Sequence, residues 1–170
     1  MKKLFIVAAF LFSVPFFGQT VLDKFENQDD VTAILVNKKM FELMGKVETN
    51  TKDAQDLLSL AKKLESLKVF MTSNTSKGNE LKKASEKLIK SSNLEELMKV
   101  IDKGREVQVF VKTEVGNENI RELLMVIEGS DTQQSVLMYL KGNFSIEEVA
   151  VLTDKLKIPG GNVLKEGSKK

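Results

Sequence analysis

The spacing of hydrophobic residues along the chain predicts a series of strands and helices. An aliphatic run at residues 31–36 (VTAILV) predicts a buried strand, since β-branched residues favour extended backbone. Asn37 is a helix-capping residue, and the following KKMFELM predicts a short helix that ends at Gly45. Over 53–64 the apolar residues recur at i, i+3, i+4 and i+7, which predicts an amphipathic helix.

The next segment continues the alternation of strand and helix. Residues 67–72 (LKVFMT) predict a second strand, and this order permits a right-handed βαβ crossover between two parallel neighbours. An amphipathic helix is predicted over 79–90. Ser92 and Glu95 have the spacing of a capping box, which predicts a further helix that runs through Ile101.

The second half of the chain changes to a period of two. Valines alternate with mostly polar residues over 106–115, and strands are predicted at 120–128 and 135–141 after short turns. A capping box then predicts a final helix over 146–156. We expect a single α+β domain with a mixed sheet, a C-terminal three-stranded antiparallel meander, and amphipathic helices packed mainly on one face.

The first eighteen residues, MKKLFIVAAFLFSVPFFG, have the layout of a secretory signal peptide. Two lysines precede an apolar run that is shorter than the roughly 20 residues of a membrane-spanning helix. Gly18 offers a small residue at the cleavage point, although Phe16 is large where a small residue is usual. Cleavage would expose Gln19 and leave the protein periplasmic or secreted. An uncleaved anchor and a buried N-terminal segment are the alternatives.

We divide the exported chain into a lead-in segment (19–30), the α+β domain (31–157) and a flexible polar tail (158–170). Removal of two lysines with the signal turns 26 basic and 24 acidic residues into equal numbers. A neutral chain has no general attraction for nucleic acid, so none is expected as a partner. The chain has no cysteine, so neither a disulfide nor a lipid-bearing cysteine is expected after cleavage.

The absence of histidine and cysteine also limits the kinds of catalytic and metal site that the chain can form. Without histidine or cysteine the chain cannot form a Ser-His-Asp triad, a thiolate nucleophile or an ordinary zinc site. The pairs Glu95-Glu96 and Glu147-Glu148 fall in the first turns of predicted helices, where they offset the helix dipole. We therefore predict no catalytic residue, no metal site and no cofactor.

Two groups of residues are candidates for an interaction surface. Lys38 and Lys39 lie at the start of a helix, where positive charge is unfavourable unless it faces an anion; a tolerated surface choice is the alternative. Phe110 interrupts the polar face of its strand between Gln108 and Lys112, and fills a second core or exposes an apolar spot to a partner. The six methionines after the signal are expected in the core, with an adaptable methionine-rich surface as the alternative.

Three segments carry a resemblance to a known family. The strand-to-helix junction VNKKMF at 36–41, the KVFMT strand and the VQVFVKTE segment resemble the bacterial envelope family catalogued as domain of unknown function 4252. The resemblance covers roughly 25–156 and implies an envelope location and an α+β fold, but no activity. Many members look like lipoproteins with a cysteine after the signal, a residue that this chain lacks.

These observations predict an exported, non-catalytic envelope protein of unspecified role that binds another envelope protein or a second copy of itself. The alternative is a carboxylate-dependent hydrolase that acts on a cell-wall or surface polymer. Such an enzyme needs two carboxylates that converge in a cleft, one of them with a raised pKa.

Overall fold

The computed structural model describes residues 20–46, 51–102, 105–114, 116, 119–129, 134–155 and 157. The predicted signal peptide (1–18) and the predicted tail (158–170) lie outside the described residues. Within them the chain forms a single α+β domain, as expected. Its elements in chain order are a 3₁₀ turn (Asp23–Phe25), β1 (Thr32–Asn37), α1 (Lys38–Met44), α2 (Lys52–Lys63), β2 (Leu64–Thr72), α3 (Thr75–Ser92), β3 (Glu95–Asp102), β4 (Arg105–Thr113), β5 (Ile120–Glu128), β6 (Ser135–Phe144) and α4 (Ile146–Lys155).

The strands of the described residues form one six-stranded sheet in the order β1-β2-β6-β5-β4-β3. Every neighbouring pair is antiparallel, so the predictions of a mixed sheet and a parallel βαβ crossover are wrong. The physical reason lies in α1 and α2, which contact each other and return the chain to the end of the sheet that it left. Asn37 at the end of β1 therefore lies opposite Ser66 near the start of β2.

Both faces of the sheet are buried, because alternate residues of the central strands enter two different hydrophobic clusters. The first cluster includes residues of α1, α2 and α4, and the second includes residues of α3 and of the lead-in segment. In β5, Leu123 and Met125 belong to the first cluster and Leu124 and Val126 to the second. Burial on both sides explains why β5 and β6 are near-continuous apolar runs.

The lead-in segment is part of the second cluster. Leu22 and Phe25 are fully buried, and the ring of Phe25 lies 5.8 Å from that of Phe70 on β2. Lys68, also on β2, forms ion pairs with Asp23 and Glu26. The segment before β1 is thus held to the sheet by both apolar and charged contacts.

The helix predicted from Ser92 through Ile101 is absent, and a strand takes its place. Asn93 adopts a left-handed conformation (φ 52°) that ends α3, and β3 then pairs with β4. Met98 faces Val109 and Val100 faces Val107, so this segment covers the valine row of β4. Pairing with the open edge of β4 outweighs the local helical signal.

Local predictions that rest on helix caps are confirmed at both ends of the domain. The Asn37 side chain accepts a hydrogen bond from the Met40 N–H at 3.0 Å, and α1 ends before Gly45. At the start of α4 the Ser145 N–H donates to the Glu148 carboxylate at 2.9 Å, and the Glu148 N–H donates back to the Ser145 hydroxyl.

Candidate interaction surface

β1 is an edge strand that exposes apolar side chains on both of its faces. Its one neighbour is β2, and no strand of the described residues lies beyond it. Ile34 is 37 % exposed and Leu35 is 46 % exposed. The prediction of a buried strand is therefore wrong for these positions. An aliphatic run has the same pattern at a sheet edge as at its centre, and nothing in the described chain covers this one.

The helix that follows β1 extends this apolar surface. Met40, Leu43 and Met44 lie at i, i+3 and i+4 on α1 and are 51 %, 51 % and 39 % exposed. Phe41 on the same helix is buried in the first cluster and anchors α1 to the sheet. The expectation that all methionines lie in the core is wrong for Met40 and Met44. We call the five exposed residues the β1–α1 surface: Ile34, Leu35, Met40, Leu43 and Met44.

The two edges of the sheet differ in how well they are protected against the addition of a further strand. β1 contains no charged residue and no proline, and it pairs with β2 without a register shift. β3 also exposes Leu97 and Ile101, but it carries four charged residues and has a register shift between Glu96 and Met98. Charges and bulges hinder the addition of a further strand to an edge. The β3 edge is thus protected and the β1 edge is open.

Charges of opposite sign lie at the two ends of β1. Asp29 and Asp30 precede the strand, Lys38 and Lys39 follow it, and all four residues are exposed. The two lysines predicted as interaction residues therefore precede Met40 by one and two residues, at the start of the helix that carries part of the β1–α1 surface. An edge with apolar side chains between an acidic and a basic end suits a partner strand with the complementary order of charges.

The second predicted group lies elsewhere on the sheet. Phe110 on β4 is 8 % exposed and packs in the second cluster, so that it fills a core. Gln108 is half-buried and Lys112 is exposed on the same strand. The structure does not bring this group to the lysines of α1, because β2, β6 and β5 separate β4 from β1.

A family assignment follows from comparison of the sequence with known proteins. The sequence matches the family described as a domain of unknown function (DUF4252) over residues 25–152. The chain belongs to the DUF4252 family. The resemblance noted from the sequence is thus confirmed, and the matched region contains the whole sheet and the β1–α1 surface. No curated protein and no solved structure matches the chain.

The DUF4252 sheet also carries a polar cluster that the sequence did not reveal. The Tyr139 hydroxyl donates to the Glu122 carboxylate, and the amines of Lys112 and Lys141 lie 3.7 and 3.9 Å from that carboxylate. Burial and the neighbouring Glu122 raise the pKa of Tyr139 above its usual range, which keeps the hydroxyl a donor. The only signal in the sequence was the alternation along three strands whose pairing was predicted as a meander but whose register was not. The cluster links β4, β5 and β6.

A groove between α2 and α4 brings three carboxylates together and is the place to look for the predicted alternative, a carboxylate-dependent hydrolase. Asp56 of α2 faces this groove together with Glu147 and Glu148 of α4. A hydrogen bond with Ser145 lowers the pKa of Glu147, whereas a general acid requires a raised pKa. Glu148 is paired with Lys63 at 2.6 Å. Glu147 and Glu148 are thus suited to helix capping and ion pairing.

Other kinds of site have little support in the described part of this DUF4252 chain. It contains no group of three acidic, histidine or cysteine side chains that could hold a metal ion. None of its helices combines the length and apolar character needed to cross a bilayer. A small polar groove at the start of α3 is bordered by the ion pair of Lys82 and Glu128, which are 2.8 Å apart. The β1–α1 surface is therefore the candidate site, because nothing in the described residues covers its apolar side chains.

Proposed function

We propose that this DUF4252 protein is exported and acts without catalysis, by binding a protein partner through the β1–α1 surface. The observation that carries the proposal is the apolar exposure along an open edge strand and the helix after it. Contiguous exposed apolar residues on a folded domain mark interaction sites. An open edge offers backbone hydrogen bonds to an added strand, and its side chains supply specificity.

The N-terminal sequence supports export, because its charged start and apolar run have the order of a signal peptide. The absence of histidine and cysteine supports a non-catalytic role. The proposal does not include hydrolysis, since the groove between α2 and α4 offers no specific observation in its favour.

Site-specific photo-crosslinking in cells tests the binding proposal. A photoreactive residue in place of Leu35 should give a discrete adduct that mass spectrometry identifies, because this side chain lies on the proposed contact. The matched control carries the photoreactive residue in place of Ile101, which is 65 % exposed on the β3 edge. Ile34→Lys in the Leu35-labelled protein should abolish the adduct, since a charge on the edge opposes strand addition. Absence of an adduct at position 35, or equal adducts at both positions, would contradict the proposal.

The intact mass of the exported form tests the localisation. We expect a protein that begins at Gln19 in the fraction outside the cytoplasm. A mass that retains residues 1–18, or recovery only from the cytoplasm, would contradict cleavage and export.

A further inference from the structure

The charges around β1 are arranged symmetrically about Ile34. Asp29 and Asp30 lie five and four residues before Ile34, and Lys39 and Lys38 lie five and four residues after it. The seven residues between the two pairs, VTAILVN, are uncharged. A segment with an acidic end, an apolar middle and a basic end is complementary in charge to a second copy of itself that runs antiparallel to it.

An antiparallel pair of identical strands uses this complementarity. With a two-fold axis at Ile34, each residue before Ile34 faces the residue equally far after it in the other copy. Thr32 then faces Val36, and Ala33 faces Leu35. The acidic pair of each copy, in the turn before β1, then lies at the same end of the joined strands as the lysine pair of the other copy, at the start of α1. Opposite charges at the same end favour pairing, whereas like charges there would oppose it.

The register also preserves the faces of the sheet. Ile34 and Val36 pair with Val69 and Leu67, which belong to the first cluster, whereas Ala33 faces Phe70 of the second cluster. Residues directly opposite each other in an antiparallel pair point to the same face of the sheet, so a two-fold axis perpendicular to the sheet must pass through a residue position. Ile34 is such a position. Both copies of α1 then lie on the same face, beside the joined strands.

We propose that β1 of this protein pairs with β1 of a second copy, antiparallel and centred on Ile34, to join two six-stranded sheets into one. The inference rests on the proposed binding function of the β1–α1 surface and names its partner. It explains why β1 lacks the charges and the bulge that protect β3. It also explains why the exposed apolar residues and the four end charges occur together.

Among the described residues, the Asp30 carboxylate and the Lys39 amine have only weak contacts. The Asp30 carboxylate accepts a hydrogen bond from the Asn74 amide at 3.2 Å, and the Lys39 amine lies 3.8 Å from the Glu42 carboxylate. Both contacts are solvent-exposed, and such contacts contribute little to stability. The charges are therefore able to face a second copy.

Sedimentation equilibrium of the exported protein provides the first test. An interface made from one six-residue strand and a two-turn helix is small, so we expect a reversible dimer with a dissociation constant on the order of 10 µM. Ile34→Lys should make the protein monomeric, because two lysines would then face each other at the axis. Ile101→Lys, the matched control on the β3 edge, should dimerise like the parent protein.

Exchange of the end charges provides the second test. K38E/K39E and D29K/D30N should each weaken self-association at least about tenfold, and an equimolar mixture of the two should recover dimers. K38E/K39E is compatible with α1, since acidic residues favour the first turn of a helix. D30N removes the charge of Asp30 without adding backbone strain, because asparagine also tolerates the left-handed φ of 64° at this position.

Single cysteines test the register. The chain has no native cysteine, so a disulfide in a single-cysteine variant must join two copies. Ile34→Cys should oxidise readily to a disulfide-linked dimer, because the two cysteines face each other across the axis. Leu35→Cys should oxidise more slowly, because Leu35 faces Ala33 of the other copy.

The outcomes distinguish this inference from the proposed function. A monomeric parent protein, a failure of the mixture to recover dimers, equal effects of Ile34→Lys and Ile101→Lys, or faster oxidation of Leu35→Cys would each overturn the pairing. If the parent protein is monomeric but position 35 still crosslinks to a different protein, the pairing fails and the proposed function stands. If position 35 crosslinks to nothing, the proposed function fails.

Discussion

Among individual residues, Lys68 joins the lead-in segment to the sheet. Its amine lies 2.5 Å from the Asp23 carboxylate and 2.8 Å from the Glu26 carboxylate, and all three side chains are partly buried. Burial disfavours the charged forms of Asp23 and Lys68. The hydrogen bonds outweigh this effect, so that Lys68 and Thr20 lower the pKa of Asp23, and Asp23 and Glu26 raise the pKa of Lys68.

Replacement of Lys68 should reveal the strength of this junction. Lys68→Met keeps the length of the side chain but leaves two partly buried carboxylates without their cation, so we expect a loss of about 2 kcal/mol in the free energy of unfolding. Urea denaturation measures the change. Lys99→Met is the matched control, because Lys99 pairs with Glu106 at 2.7 Å but is 40 % exposed; its loss should be about 0.5 kcal/mol. Equal losses of unfolding free energy in the two variants would contradict a larger contribution from the ion pairs of Lys68.

From the ion pairs of Lys68 we predict that their contribution to the stability of the protein depends on pH. The lowered pKa of Asp23 means that its contribution is present above its ordinary pKa of 3.8 and is lost as the pH falls through the folded value. The raised pKa of Lys68 means that its contribution is present below 10.5 and is lost only as the pH rises through the folded value. The stability difference between the parent protein and Lys68→Met should therefore be constant near neutral pH and smaller at about pH 3. An unchanged difference in acid would contradict this linkage.

Among the helices and strands, local signals predicted the structure correctly where near neighbours in the chain decide it. The side chain of Asn37 caps α1, and the Ser145–Glu148 capping box begins α4, because both contacts span only three residues. The helix predicted from the capping-box spacing of Ser92 and Glu95 was wrong. There the backbone pairs with β4, a partner that helix signals in the segment itself do not reveal.

The junction between α2 and β2 depends on one close approach. A Cβ at Gly142 of β6 would overlap the backbone oxygen of Lys63, where α2 ends, and would lie 3.0 Å from the Cα of Leu64. Gly142→Ala should therefore cost about 3 kcal/mol of unfolding free energy, since backbone rather than a flexible side chain must move. Thermal or urea denaturation measures the loss.

Gly116→Ala provides the comparison for this substitution. Gly116 has φ +79°, and apart from its chain neighbours no atom lies within 4 Å of the added Cβ, so only backbone strain of about 1 kcal/mol is expected. If Gly142→Ala loses no more unfolding free energy than Gly116→Ala, the close approach of Gly142 to the backbone of Lys63 and Leu64 does not restrict the residue at this position.

In the molecule as a whole, the sheet lies between two hydrophobic clusters, and its edges are unequal. β2, β6, β5 and β4 have strand neighbours on both sides, whereas β1 and β3 have one neighbour each among the described residues. The interior of such a sheet opens least often, and its edges open first.

Amide hydrogen exchange should report both the buried interior of the sheet and the difference between its two edges. We expect the slowest exchange in β5 and β6, which are buried on both faces, and faster exchange in β1 and β3 in dilute protein. When the concentration rises above the dissociation constant of the proposed dimer, exchange in β1 should slow while that in β3 stays unchanged. Concentration-independent exchange in β1, or slowing of β3 instead, would contradict pairing through β1.

The amino-acid sequence was sufficient to predict the caps of α1 and α4 and the period-two strands. Caps and periodicity depend on residues close together in the chain, so a pattern of a few residues contains them. The antiparallel return of β2, the strand at Glu95–Asp102 and the exposed position of β1 became clear only from the tertiary structure. These features depend on which distant backbone edge a segment meets, and an aliphatic run such as VTAILV has the same pattern whether a second strand covers it or leaves it open.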